Sequence, residues 1–189
     1  MSHPLVASFV LVALSEMGDK TQLLAFALAA RFRRPWVVMA GVLVATVANH
    51  SLASTVGAWV AGLVPHRALG VALGLLFIGF GLWTLHPDSL RERKGPPRFG
   101  PFLTTVVAFF LAEMGDKTQL ATAALAARFG APVLVTLGTT AGMMVSDGLA
   151  VFAGQRLSPY VHHPAVRWTA AALFILFGLA GAWSALRAG

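Results

Sequence analysis

Long apolar runs, separated by short charged or proline-bearing breaks, divide the chain into six segments at about 4–30, 36–64, 67–85, 102–128, 132–155 and 165–186. A helix needs roughly 20 apolar residues to cross a bilayer core, and each run supplies about that many or more. The pattern predicts an all-α integral membrane protein with six transmembrane helices. The first, second and fourth runs are longer than about 30 Å of hydrocarbon requires at about 1.5 Å per residue, so tilt, projection or a break is expected in them. Gly18 and Gly115 are the expected break points.

Composition agrees with this reading. Of the 189 residues, 57% are hydrophobic and 11% charged, against roughly 25% charged in a soluble domain. Little chain remains for a soluble domain, and no cysteine is present to form disulfides or thiolate metal sites. A net charge of +7 raises nucleic acid as a partner, but the arginines fall at the ends of apolar runs, where membrane topology accounts for them. No nucleic-acid partner is expected; membrane lipid is. Residues 1–15 carry no basic leader or cleavage signal, so no signal peptide is expected.

Orientation follows from the basic residues. With the amino terminus outside, the inner connections hold Arg31, Arg33, Arg34, Arg91, Arg93, Lys94, Arg98, Arg156 and Arg167, and the outer side only Arg67, Arg128 and Arg187. That bias predicts both termini outside. Trp36, Trp59, Trp83, Trp168 and Trp183 lie near segment ends, as interfacial anchors do.

The chain also repeats itself. Leu14 to Phe32 and Leu111 to Phe129 share 15 of 19 residues at an offset of 97, and the same offset pairs Pro35 with Pro132, Gly41 with Gly138 and LLFIGFGL (75–82) with ALFILFGL (172–179). The expected organisation is a first three-helix repeat over 1–85, a basic inner linker over 86–101 and a second three-helix repeat over 102–189, within one membrane domain. Three crossings per repeat bring the second half into the membrane from the opposite side, which predicts two inverted-topology repeats.

Inside these apolar runs stand charges. Five of the seven acidic residues, Glu16, Asp19, Glu113, Asp116 and Asp147, fall within predicted spans, whereas Asp88 and Glu92 lie in the linker. A carboxylate at mid-bilayer costs about 2.5–3.5 kcal/mol even on a lenient scale, so a functional site is expected. On a continuous helix Glu16, Asp19 and Lys20 would share one face, with Gln22 a turn beyond Asp19; if Gly18 unwinds the helix, backbone carbonyls join the oxygen cluster. An in-plane twofold axis would bring the two motifs together at mid-membrane, giving a cation site from Glu16, Asp19, Gln22, Glu113, Asp116 and Gln119, flanked by Thr21 and Thr118. Hard oxygen donors of this kind suit Ca, Mg or Mn over Zn or Cu.

Four ionised carboxylates with Lys20 and Lys117 protonated leave a charge of −2, which one divalent cation cancels and two protons can restore. This is the charge logic of a metal/proton exchanger. Lys20, Lys117, Asp147 and Asn49 are candidate proton relays or additional ligands. A structural alternative makes Glu16–Lys20 and Glu113–Lys117 closed i,i+4 ion pairs. His50, aligned with Asp147 by the repeat, reads as a satisfied core histidine, and the Gly70/Gly74 and Gly138/Gly142 pairs as close helix packing.

The two copies of Glu-x-Gly-Asp-Lys-Thr, at 16–21 and 113–118, each opening a three-span half, resemble the Gdt-type family of divalent cation/proton antiporters. That family includes Golgi manganese and calcium transporters of eukaryotes and manganese exporters of bacteria. The resemblance covers essentially the whole chain. It implies that Glu16, Asp19, Glu113 and Asp116 bind the cation and that protons are the counter-ion. Its bacterial branch implies Mn(II) export, with Ca(II) as a second cargo, across the inner (cytoplasmic) membrane. No catalytic residue and no resident cofactor are expected, since the metal is cargo. Two other functions fit part of the pattern: a divalent cation channel, which would carry net current without counter-transport, and an intramembrane aspartyl hydrolase, against which the Lys beside each Asp argues. Monomer and homodimer fit the sequence equally.

Overall fold

The computed structural model describes residues 3–86, 99–153 and 164–187. Most of the 86–101 linker, with Asp88, Arg91, Glu92, Arg93, Lys94 and Arg98, and also Arg156, lies outside the described residues. The described chain is helical throughout: α1 (Pro4–Glu16), α2 (Lys20–Phe32), α3 (Pro35–Ala61), α4 (His66–Thr84), α5 (Pro101–Glu113), α6 (Lys117–Phe129), α7 (Pro132–Gly148), a π-helical turn continuing it (Leu149–Ala153), and α8 (Pro164–Arg187). Prolines open α1, α3, α5 and α7, where a missing N–H is harmless and the fixed φ suits a helix.

The first and fourth apolar runs are each split into two half-helices. Gly18 (φ 81°) and Gly115 (φ 76°) adopt the left-handed backbone that L-residues avoid, so the α1 and α5 ladders end just before them. Four stretches are long and apolar enough to cross a membrane: Pro35–Ala61, His66–Thr84, Pro132–Ala153 and Ala165–Arg187. The apolar half-helices α1 and α5 are shorter.

Packing places the polar residues inside and the apolar ones outside. Leu43, Val44, Leu52, Val56, Leu75 and Leu176 are exposed, as are all five tryptophans, while Thr46, Asn49, His50, Ser54, Thr122, Thr139 and Ser146 are buried. Water would penalise such an exterior; lipid does not. α4 packs along α8, α1 against α7, α5 against α3, and α3 against both α6 and α7. Thus the first helix of each half lies on the long third helix, α7 or α3, of the other. Phe77, Phe80, Leu125 and Phe174 anchor one apolar cluster, and Ala25, Leu28, Val38, Val42 and Phe109 another.

Glycine permits these contacts. A side chain at Gly57 would overlap the backbone of Ala123 on α6, and one at Gly142 would reach 2.8 Å from the Phe9 carbonyl on α1. Gly70 and Gly74 face Ala185 and Ala182, and Gly138 faces Leu5, so both GxxxG-spaced pairs serve internal helix packing. His50 differs from expectation: it is buried, but neither ring nitrogen has a hydrogen-bond partner among the described residues.

Gly57→Leu should force α3 from α6 and lower the Tm in detergent by about 3–10 °C, the equivalent of roughly 1–3 kcal/mol of overpacking. Gly79→Ala, which meets nothing within 4 Å, should leave the Tm unchanged or raise it slightly.

Candidate cation site

Each motif is a three-residue interruption between two helix ends. Glu16 closes α1, Met17 is extended, Gly18 turns left-handed and Asp19 occupies the N-cap of α2, its Oδ1 accepting from the Lys20 N–H; Glu113, Met114, Gly115 and Asp116 follow the same backbone path between α5 and α6, where Asp116 makes no side-chain cap bond among the described residues. The Asp19 N–H donates to the Glu16 carbonyl and that of Asp116 to the Glu113 carbonyl, both at 3.1 Å. The interruption therefore places each glutamate at a helix carboxyl end and each aspartate at a helix amino end, where a negative charge is favoured.

The two glutamines hold these breaks. Gln22 Oε1 accepts from the Gly18 N–H at 2.8 Å, and Gln119 Oε1 from the Gly115 N–H at 2.7 Å. Their amide nitrogens reach the other half: Gln22 donates to the Ser146 carbonyl at 2.8 Å, and Gln119 to Asn49 Oδ1 at 3.3 Å. Asn49 in turn donates to the Phe110 carbonyl, one of the acceptors orphaned where α5 stops. The sequence reading of Gln22, Gln119 and Asn49 did not include this bracing. The signal was present, because Asp-x-x-Gln at a helix start is a variant of the capping box.

The lysines cross between motifs. Lys20 Nζ lies 2.6 Å from Asp116 Oδ1, and Lys117 Nζ lies 3.0 Å from Asp19 Oδ2. This replaces the i,i+4 alternative, since each lysine meets the aspartate of the opposite half. The interruption explains the change: with the helix broken, Lys20 no longer sits one turn above Glu16.

Glu16 is fully buried, with Thr21 Oγ1 donating to Oε2 at 2.8 Å and Thr118 Oγ1, from the other half, donating to Oε1. One ligand oxygen from each of Glu16, Asp19 and Asp116 lies within 4.8 Å of the others. Oxygens around one divalent cation with bonds of about 2.0–2.6 Å stand roughly 3–5 Å apart, so the three can converge on a single ion. Glu113 stands outside this trio. It is completely buried, neither of its carboxylate oxygens has a hydrogen-bond partner among the described residues, and it lies within electrostatic reach of Glu16, Asp116, Asp147 and Asp19. Asp147 is likewise buried and without a hydrogen-bond partner among the described residues, close to the start of the π-turn. A π-turn inside a helix is frequent beside functional sites.

The sequence pattern of the family described as "Divalent cation/proton antiporter GDT1" matches residues 4–92 and again 101–189. The chain belongs to the GDT1 family. It is 39% identical over 180 residues to the Vibrio cholerae serotype O1 protein named "Putative manganese exporter", covering 95% of this chain and 90% of that one. GDT1-like protein 5 of Arabidopsis thaliana is 31% identical, with 91% and 92% covered, and GDT1-like protein sll0615 of Synechocystis is 28% identical, with 94% and 96% covered. No solved structure matches the chain. As a GDT1 member with membrane-length apolar helices, the protein is a multi-pass membrane transporter and not an enzyme.

Gln22→Leu should leave the Gly18 N–H without its acceptor and lower the Tm in detergent by several degrees, consistent with about 1–3 kcal/mol for a buried orphan. Gln22→Glu, which keeps the acceptor, should recover part of that loss. Thermal unfolding of the three proteins side by side measures both effects.

Proposed function

We propose that the protein exports Mn(II), with Ca(II) as a second cargo, in exchange for protons. The observation that carries this reading is the convergence of Glu16, Asp19 and Asp116, from both motifs, within 4.8 Å in a buried interior. Six crossings are proposed, with α1–α2 and α5–α6 as interrupted spans and the two halves as inverted repeats. The 97-residue repeat and the glycine break in each half support this topology. The arginine distribution supports both termini outside, and the bacterial relative supports the cytoplasmic membrane of a bacterium. The repeat boundaries 1–85 and 102–189 flank an inner linker.

In this reading the crossed lysines offset the charge of the two aspartates while the site is empty. An arriving cation competes with Lys20 and Lys117 for Asp116 and Asp19, and the ammonium groups return when it leaves. Glu16 is a ligand held in place by Thr21 and Thr118. Glu113 and Asp147, which receive no hydrogen bond among the described residues, serve as a further ligand and as a proton carrier. Gln22 and Gln119 keep a lone pair on each Oε1 and stand at the rim of the cation site, while Asn49 positions Gln119. Two protons exchanged per divalent ion would move no net charge, and would support roughly a tenfold metal gradient per half unit of pH. Alternating access would expose the carboxylates first inward, then outward.

Proteoliposomes containing a pH dye test the exchange. Mn(II) addition should release protons from the opposite side with no net current, and Glu16→Gln and Asp116→Asn should each reduce coupled flux by more than about tenfold, the effect of losing one charged ligand. Unchanged flux in both variants would remove the proposed site; a current scaling with metal uptake would refute the two-for-one exchange.

A further inference from the structure

The connection between α2 and α3 holds a residue that its backbone does not suit. Arg33 closes α2 with φ 51°, in the left-handed region, and its N–H donates to the Ala29 carbonyl at 2.9 Å. At the offset of 97 the same cap on α6 is Gly130, with φ 61° and the same bond, to the Ala126 carbonyl at 2.9 Å. Glycine takes this conformation freely and an L-residue does not. The next position differs in the same sense, Arg34 standing where the second half has Ala131. Both arginines are exposed, and neither pairs with an acid among the described residues. The positive-inside bias asks for basic charge in this connection, but a neighbouring position would supply it without the backbone cost.

Beside these arginines lies an apolar groove. Trp36, in the first turn of α3, and Phe152, in the π-turn, form its rim, with ring centroids 4.6 Å apart. Met39, Gly148 and Leu149 are among the residues that line it, and its volume is about 490 Å³, within the roughly 300–1,000 Å³ of small-ligand sites. An exposed tryptophan at a span end is often only an interfacial anchor, but the repeat again separates the halves. Trp36, Met39 and Phe152 correspond to Val133, Thr136 and Thr55. Thr136 Oγ1 donates to Ser54 Oγ at 3.0 Å and Thr55 Oγ1 to the Ser51 carbonyl at 2.7 Å, so the equivalent place in the other half is polar and lacks the aromatic rim.

We propose that this groove binds an anionic phospholipid, with an acyl chain along Trp36, Leu149 and Phe152 and the headgroup phosphate on Arg33 and Arg34. An apolar floor beside two arginines without an acidic partner is complementary to a molecule that is hydrocarbon at one end and anionic at the other. Guanidinium groups suit the charged end, because their planar fork matches phosphate oxygens. The arginine distribution puts this end of α3 on the inner side, where the leaflet carries anionic lipid. That placement rests on the topology proposed above; the binding itself does not. A lipid seated there packs on the π-turn that begins at Leu149, close to Asp147.

Trp36 is itself the reporter. The other four tryptophans are exposed, so Trp59, Trp83, Trp168 and Trp183 can be changed to Phe in the full chain, reconstituted in phosphatidylcholine bilayers. Phosphatidylglycerol with brominated chains should half-quench Trp36 emission at about tenfold lower mole fraction than brominated phosphatidylcholine, as two arginine–phosphate contacts predict. Arg33→Gly with Arg34→Ala, which copies the second half into the first, should make the two lipids equal. Arg33→Gly alone should raise the Tm in lipid-free detergent by about 1–3 °C, by relieving the left-handed arginine. Gly148→Leu, whose Cβ would meet only Met39 Cε at 3.7 Å, fills the groove and should weaken quenching by both lipids. Equal quenching by the two lipids before any arginine is changed would overturn the proposal, leaving ordinary lipid contact only. So would a phosphatidylglycerol preference that survives the loss of both arginines, or a lower Tm in Arg33→Gly. The quenching needs neither metal nor a pH gradient, so failure of the exchange reading would appear separately, in the proteoliposome flux.

Discussion

The crossed pairs Lys20–Asp116 and Lys117–Asp19 are the contacts on which the centre of the molecule depends. Each joins one half of the chain to the other, and each holds charge where lipid surrounds the helices. A buried pair of this kind adds little net stability, because desolvation cancels most of the Coulomb attraction, yet removing one partner costs about 3–5 kcal/mol. Stability alone therefore gives no reason to keep them. The exchange proposed above does give one, because an arriving cation would compete with the lysines for the two aspartates.

Bringing those charges together requires helices that approach closely without a hydrophobic driving force, since lipid is as apolar as leucine. Glycine supplies the approach. Gly57, Gly138 and Gly142 let α3 meet α6 and α7 meet α1 at backbone distance. The serines, threonines and amides then fill the interior, and hydrogen bonds such as Gln22 to Ser146 replace apolar packing as the glue. The same small residues that make the bundle tight also leave polar side chains next to the broken helices.

Much of this was legible in the sequence. The offset of 97, the glycines at 18 and 115, and acids within apolar runs are properties of single positions, and they mark the helix breaks and the residues that meet. What could not be read were relations between distant segments. The lysines pair across the halves because the break rotates Lys20 away from Glu16, and a one-dimensional i,i+4 rule assumes an unbroken helix. Gln22 and Gln119 read in the sequence as cation-site residues, and their capping geometry becomes visible only once the turn before each helix has a shape. Glu113, placed by symmetry beside Glu16, stands apart from the trio, because identical motifs do not guarantee identical surroundings.

That last difference has a physical source. Glu16 receives hydroxyls from Thr21 and Thr118, one from each half, while Glu113, in the same motif, receives none among the described residues. Both threonines have swung to one side. Hydroxyl donors offset the cost of burying a carboxylate, and a carboxylate without them bears that cost in full. Two chemically equal acids are thus made unequal by the hydroxyls that reach one and not the other.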